Sequence, residues 1–151
     1  MKFIDLFAGA GGLSEGFIRA GFLPVAHVEM DKSSCLTIKT RIAHHYLHEN
    51  KKINLYIDYI QGKICQEKLY GEIPEDIIHN TVIQEELSGN TISQIIKNLE
   101  NRLKTSNCNS VDVIVGGPPC QPYSLVGRAR DYSQMKNDPR NYLYKLYTQF
   151  L

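Results

Sequence analysis

Excess charge of either sign is missing from this sequence: 17 Lys and Arg face 16 Asp and Glu, leaving +1 on 151 residues. So small a sum neither indicates nor excludes a nucleic-acid partner, because a binder needs only a clustered basic patch. Apolar runs of membrane-spanning length are also lacking, so no membrane partner is expected. The four cysteines, at 35, 65, 108 and 120, form no CxxC pair and no Cys/His set at zinc spacing, which speaks against a structural metal. No charged-then-apolar leader opens the chain; Met1 and Lys2 run straight into a strand pattern, and reduced thiols in the cytoplasm are the expectation. Internal repeats and low-complexity stretches are absent too. What is there is ordinary for one soluble globular domain, with 42% hydrophobic and 22% charged residues.

Strand and helix patterns alternate along the chain. KFIDLF (2–7) reads as a short apolar strand, AGAGG (8–12) as a glycine turn, and LSEGFIRAGF (13–22) as a helix that Gly21 can stop. LPVAHVEM (23–30) is a second strand, after which Asp31 can cap a helix over 32–47. Residues 49–80 mix turn signals at Gly62, Gly71 and Pro74 with no clear period, and are taken as an insertion. TVIQ (81–84) suits a short strand and 91–104 a clear amphipathic helix, followed by the polar loop TSNCNS. Val111, Val113, Ile114 and Val115 then predict a buried parallel strand. The order β-α-β-α with near-continuous apolar strands predicts an α/β protein with a doubly wound, mainly parallel sheet.

In such sheets ligands gather outside the carboxyl ends of the strands, at the switch point. Three features fall on that edge: the glycine turn after the first strand, Glu29 ending the second, and GGPPCQPYS after the last. Gly9, Gly11 and Gly12 allow close approach of backbone to a ligand beside a helix N-terminus. Ser14 stands where a dinucleotide fingerprint needs its third glycine, so that motif fails. Glu29 lies at the spacing from which an acid reaches ribose hydroxyls, although a solvated strand end would look the same. Pro118, Pro119 and Pro122 stiffen the loop around Cys120. A rigid turn with an inert buried thiol and a fixed reactive sulfur both fit that loop.

DLFAGAGGLSEGF, VEMDKSSC and GGPPCQPYS, in that order, resemble the opening motifs of the DNA (cytosine-5) methyltransferases. The likeness covers nearly the whole chain apart from about 49–110. It implies a Rossmann-like fold of the S-adenosylmethionine-dependent methyltransferases, with S-adenosylmethionine held by Phe7, Ala8, Gly9, Gly11, Gly12, Leu13, Glu29, Met30, Gly117, Pro119 and Leu143. Glu29 would take the ribose and Met30 the adenine. Cys120 would be the catalytic nucleophile. Its thiolate would add to carbon 6 of cytosine, turn carbon 5 into an enamine nucleophile for the methyl group, and leave as the carbon 5 proton is lost. A base inside a duplex is out of reach, so duplex DNA would present a flipped cytosine. Gln121, Ser124, Arg128, Arg130, Lys136 and Arg140 are candidates for contact with the DNA.

The sequence also departs from that family. It ends within an apolar helix pattern, without the Glu-Asn-Val glutamate for ring nitrogen 3, the arginine cluster or the target-recognition region. The acid that meets adenine is not obvious; Asp76, Asn80 and Gln84 are weak candidates. Residues 1–151 thus read as the N-terminal portion of a catalytic domain, cut short, with a complementary chain as one way of supplying the rest. Three functions stay open: a DNA cytosine-5 methyltransferase of a restriction-modification system, a tRNA cytosine-5 relative, and an inactive module that binds cofactor or nucleic acid.

Overall fold

The computed structural model describes residues 1–105, 110–119 and 139–151. Four parallel strands, β1 (Lys2–Leu6), β2 (Leu23–Glu29), β3 (Val82–Gln84) and β4 (Val113–Gly116), form one sheet in the order β3-β2-β1-β4. The chain winds outward from β1 to β3 and then crosses back to place β4 on the other side of β1. That reversal makes the β1/β4 edge a switch point, and the expected doubly wound α/β architecture is the observed one.

Alternation along the strands sorts the two faces. Phe3 and Asp5 of β1 meet helix α1 (Gly12–Arg19), through Phe17 and Ser14. Ile4 and Leu6 join Ala26 and Val28 of β2 and pack with Ile92, Ile95 and Leu99 of α6 (Ile92–Thr105). On the α1 face, α2 (Lys32–Glu49) brings Cys35, Ile38 and Ile42 against Ala8 and Val82. Both helix ends read from the sequence are present. Asp31 accepts a hydrogen bond from the Ser34 amide at 2.7 Å. Gly21, at φ 85°, closes α1 while its amide donates to Ile18 O at 2.9 Å.

Residues 49–80 hold helices α3 (Ile53–Ile60), α4 (Gln66–Gly71) and α5 (Glu75–Ile78). They close a core of their own against α2, built on Ala43, Leu47, Leu69, Ile73 and Ile78. After residue 138 come a 3-10 turn over Pro139–Tyr142, helix α7 (Leu143–Tyr147) and a 3-10 turn over Thr148–Phe150. Leu146, Tyr147 and Phe150 pack on the α6 face, and the Tyr147 hydroxyl donates to Ile114 O at 2.9 Å.

The last strand differs from its expectation. It starts at Val113 rather than Val111, and all four residues are half-buried, not buried. Among the described residues β1 is the strand that pairs with it, so β4 is an edge and its outer side lacks a covering neighbour. Its end is tightly held: a Cβ on Gly116 would lie 2.2 Å from Leu6 O, so only glycine lets β4 pass β1 there.

Behind the glycine turn sits a buried polar trio, Asp5, Ser14 and His27, each 1% exposed. Ser14 Oγ donates to Asp5 Oδ2 at 2.5 Å and lies 2.9 Å from His27 Nδ1. Because the one hydroxyl proton is committed to Asp5, Nδ1–H of His27 must be the second donor. Asp5 Oδ1 and His27 Nε2 have no partner among the described residues. Burial, with a smaller push from the Arg102 guanidinium, lowers His27 to about 4. The native ring is therefore neutral while the unfolded ring takes a proton near 6.5, so this contribution is present above that pH and lost as pH falls toward 4. Burial raises the Asp5 carboxyl, which works in the opposite direction as pH falls. The variant His27→Phe isolates the histidine. From pH 7.5 to 4.5, chemical denaturation should show wild type losing up to about 3 kcal/mol relative to His27→Phe. Parallel pH curves for the two proteins would contradict a neutral buried His27.

Candidate cofactor and active site

Phe7 starts the site with an unusual backbone. It leaves β1 at φ 59°, a left-handed conformation that costs a non-glycine residue energy and gathers at functional turns. The reversal lets the Ala8 amide donate to Val28 O at 3.1 Å. The Gly9 amide then reaches Glu29 Oε2 at 2.7 Å, and the other carboxylate oxygen accepts from the Asp31 amide at 2.8 Å. Two amides thus fix the Glu29 carboxylate at the end of β2. A carboxylate has about four acceptor positions, so two remain for a ligand. The end of β3 is tied in as well, since the Glu85 amide donates to Glu29 O at 3.1 Å.

A cavity of about 440 Å³ opens at this edge, lined by Phe7, Val28, Glu29, Met30, Glu85, Glu86, Leu87, Gly117, Pro119, Arg140 and Leu143. Six residues picked out from the sequence for one ligand therefore converge from β1, β2, β4 and α7: Phe7, Glu29, Met30, Gly117, Pro119 and Leu143. The mainly apolar wall carries three carboxylates and one guanidinium among the described residues, a balance that suits a cationic ligand.

The other sequence candidates are placed differently. Ala8 is buried against α2 with Cys35 and Ile38, not in the cavity wall. Gly11 is buried, at φ 78°; a Cβ there would lie 3.3 Å from Ile38 Cγ1, so the turn passes beneath α2. Gly12 and Leu13 begin α1 and are exposed. Arg140, expected at the DNA, stands half-buried in the cavity wall. Cys120, Gln121, Ser124, Arg128, Arg130 and Lys136 lie outside the described residues.

The three candidates for the adenine acid stand outside the cavity wall. Asp76 borders a cavity at the opposite end of the sheet, with Lys2, Leu23 and Thr81, and Asn80 is exposed just before β3 begins. Of the three, Gln84 ends β3 at the cavity's end of the sheet, and the acids that line the cavity are the next two residues, Glu85 and Glu86. Pairing of His27 with Val82 and of Glu29 with Gln84 sets that exit. In the sequence, the signal was a pair of acids directly after the short strand Val82–Gln84.

Comparison with known proteins bears on this arrangement. The description "C-5 cytosine-specific DNA methylase" matches residues 1–78 and 79–151, the whole chain. The chain belongs to that family. It is 37% identical, over 167 aligned positions, to the type II methyltransferase M.Bpa9945I of Bacillus paralicheniformis, covering 100% of this chain and 38% of that protein. It is 32% identical to the type II methyltransferase M1.HphI of Haemophilus parahaemolyticus, covering 96% of this chain and 27% of the relative. It is also 32% identical to the type II methyltransferase M.AgeI of Thalassovita gelatinovora, covering 100% of this chain and 25% of the relative. The family member described here thus spans well under half the length of these curated relatives. No solved structure gave a significant match. Among the described residues, no helix is long and apolar enough to cross a membrane and no cluster of His, Cys, Asp and Glu could hold a metal ion.

Proposed function

We propose that residues 1–151 are the cofactor-binding and nucleophile-bearing part of an enzyme that methylates carbon 5 of cytosine in duplex DNA, within a restriction-modification system. The observation that carries this reading is the convergence of Phe7, Glu29, Met30, Gly117, Pro119 and Leu143 on one cavity at the switch edge. S-adenosylmethionine, when bound there, supplies a methyl group on a cationic sulfonium. The Glu29 carboxylate offers its two remaining acceptor positions to the ribose hydroxyls. Met30, 62% exposed at the rim, offers an apolar surface to adenine. Glu85 and Glu86 are the acids within reach of the adenine amino group, in place of Asp76 or Asn80. Pro119 shapes the wall, and Cys120, next in sequence, supplies the thiolate that adds to carbon 6.

The type II methyltransferase names of the relatives favour DNA over tRNA as substrate. The expected consequence for binding is specific. Glu29→Ala should weaken S-adenosylmethionine binding by about 1–3 kcal/mol, the worth of hydrogen bonds to a charged acceptor. Glu29→Gln, which keeps the shape and loses the charge, should fall between. Titration calorimetry on the purified protein reads both, and an affinity unchanged in Glu29→Ala would remove the ribose assignment.

A further inference from the structure

The glycine turn reaches the cavity through Phe7 and the Gly9–Glu29 bond, and its other side is left to α2. Arg41 Nε donates to Ala10 O at 2.9 Å, across 31 residues of chain. Its Cδ would lie 3.5 Å from a Cβ on Gly11, so the arginine stem also covers the turn. The guanidinium is held from the far side by Glu15, with Arg41 Nη1 3.7 Å from Glu15 Oε2. Glu15 in turn receives Arg19 Nε at 2.8 Å and stands 2.9 Å from His45 Nε2. These contacts, the His45 bond foremost, keep the Glu15 carboxyl below its ordinary range, so it is charged at neutral pH. Ile38, Arg41 and His45 recur at helical spacing on one face of α2, and that face bears on the turn and the first turn of α1.

We propose that Arg41 is a positioning residue for the cofactor: braced by Glu15, which His45 holds in turn, it straps the Ala10 carbonyl to α2 and so fixes the turn 8–12 that sets Phe7 and the Gly9–Glu29 bond at the cavity edge. The turn needs such a strap. Phe7, Gly9 and Gly11 all have positive φ, and α1 begins with no side-chain cap, so local propensity alone does not hold it. The Glu29 bond secures Gly9 from the cavity side, and Arg41 secures Ala10 from behind. With the strap gone, the bound form becomes one of several turn conformations, and affinity falls by the fraction of the chain that remains competent. A flat guanidinium suits the task because Nε serves the carbonyl while an Nη group faces Glu15.

This proposal rests on the reading that the cavity beside the turn binds S-adenosylmethionine, so its test has an arm that does not involve the cofactor. Amide hydrogen exchange of the unliganded protein should speed up at least about tenfold at residues 9–13 in Arg41→Ala, with β1 and β2 amides unchanged. Calorimetry with S-adenosylmethionine should show affinity lower by about tenfold to a hundredfold, the range for a lost hydrogen bond to a charged donor. Arg41→Lys, which keeps a cation within reach of Ala10 O, should recover part of both effects. Unaltered exchange at residues 9–13 in Arg41→Ala overturns the strap. Faster exchange with unaltered affinity overturns its role toward the cofactor. Failure of the wild type to bind S-adenosylmethionine, with exchange responding as described, overturns the functional reading and not the strap.

Discussion

Cys120→Ser is expected to abolish methyl transfer by the complete enzyme and to abolish covalent trapping by a cytosine whose carbon 5 proton is replaced by fluorine. The proposed step needs an anionic nucleophile that adds to carbon 6 and later leaves. A thiol near pKa 8.5 supplies a few per cent of thiolate at neutral pH even unassisted, and positive charge or backbone donors nearby raise that share. A serine hydroxyl ionises far less readily, so the variant has almost no nucleophile and adds slowly even to a well-placed base. Gly117 and Pro119, which precede the cysteine, already line the cavity, so the thiol enters the sequence where the chain leaves the cavity wall. The fluorinated base distinguishes chemistry from binding: with the methyl donor present, methyl transfer leaves fluorine and no proton on carbon 5, so elimination is blocked and every enzyme that has attacked and methylated stays attached. Denaturing electrophoresis of the mixture reads the adduct. Trapping retained in Cys120→Ser would transfer the nucleophile's role elsewhere.

A polypeptide of residues 1–151 alone is expected to methylate no duplex DNA, while a mixture with a chain supplying the remaining length of the relatives should turn over. The resemblance assigns to later segments an acid that protonates ring nitrogen 3, and losing general-acid help costs about 10²–10⁴-fold. It also assigns to them the region that holds a flipped base, whose unstacking costs a few kcal/mol. Of M.Bpa9945I and M1.HphI this chain covers 38% and 27%. The sheet gives an independent reason. The half-buried β4 presents an edge with no neighbour among the described residues, beside an apolar groove lined by Ile96, Leu99, Leu103 and Phe150. Edges of that kind recruit strands. Transfer of labelled methyl groups to duplex DNA separates the outcomes: turnover by residues 1–151 alone would refute the expectation.

Much of this was legible because short-range chemistry decides it. The KFIDLF and LPVAHVEM runs, the Asp31 cap and the 91–104 periodicity each state their element locally, and the structure places β1, β2, α2 and α6 there within two residues. The cavity wall was legible where a motif and a strand end coincide, as at Phe7, Glu29 and Pro119. Residues 49–80 hid their helices because α3, α4 and α5 are short and owe their order to packing on Ala43 and Leu47 of α2. The place of Glu85 and Glu86 in the cavity wall was not legible because a three-residue strand carries almost no period, and its exit is fixed by pairing with β2. Arg41 could not be found at all: its partner is a carbonyl 31 positions away, and a carbonyl leaves no trace in the residue letters.

The Asp5–Ser14–His27 trio also fixes the alignment of the sheet. Side chains on a strand alternate faces, so sliding β1 by one residue against β2 would turn Asp5 into the layer of Ile92, Ile95 and Leu99. There its carboxylate would meet no hydroxyl, and Ile4 or Leu6 would be pressed onto Ser14 instead. Misaligned pairings of an otherwise apolar ribbon are thereby made expensive, and one pairing stands apart from its neighbours. A buried polar cluster outside the cavity wall thus sets how far along the sheet Phe7 and Glu29 emerge. It acts as the index pin of the strand pair, and the ligand edge inherits its alignment.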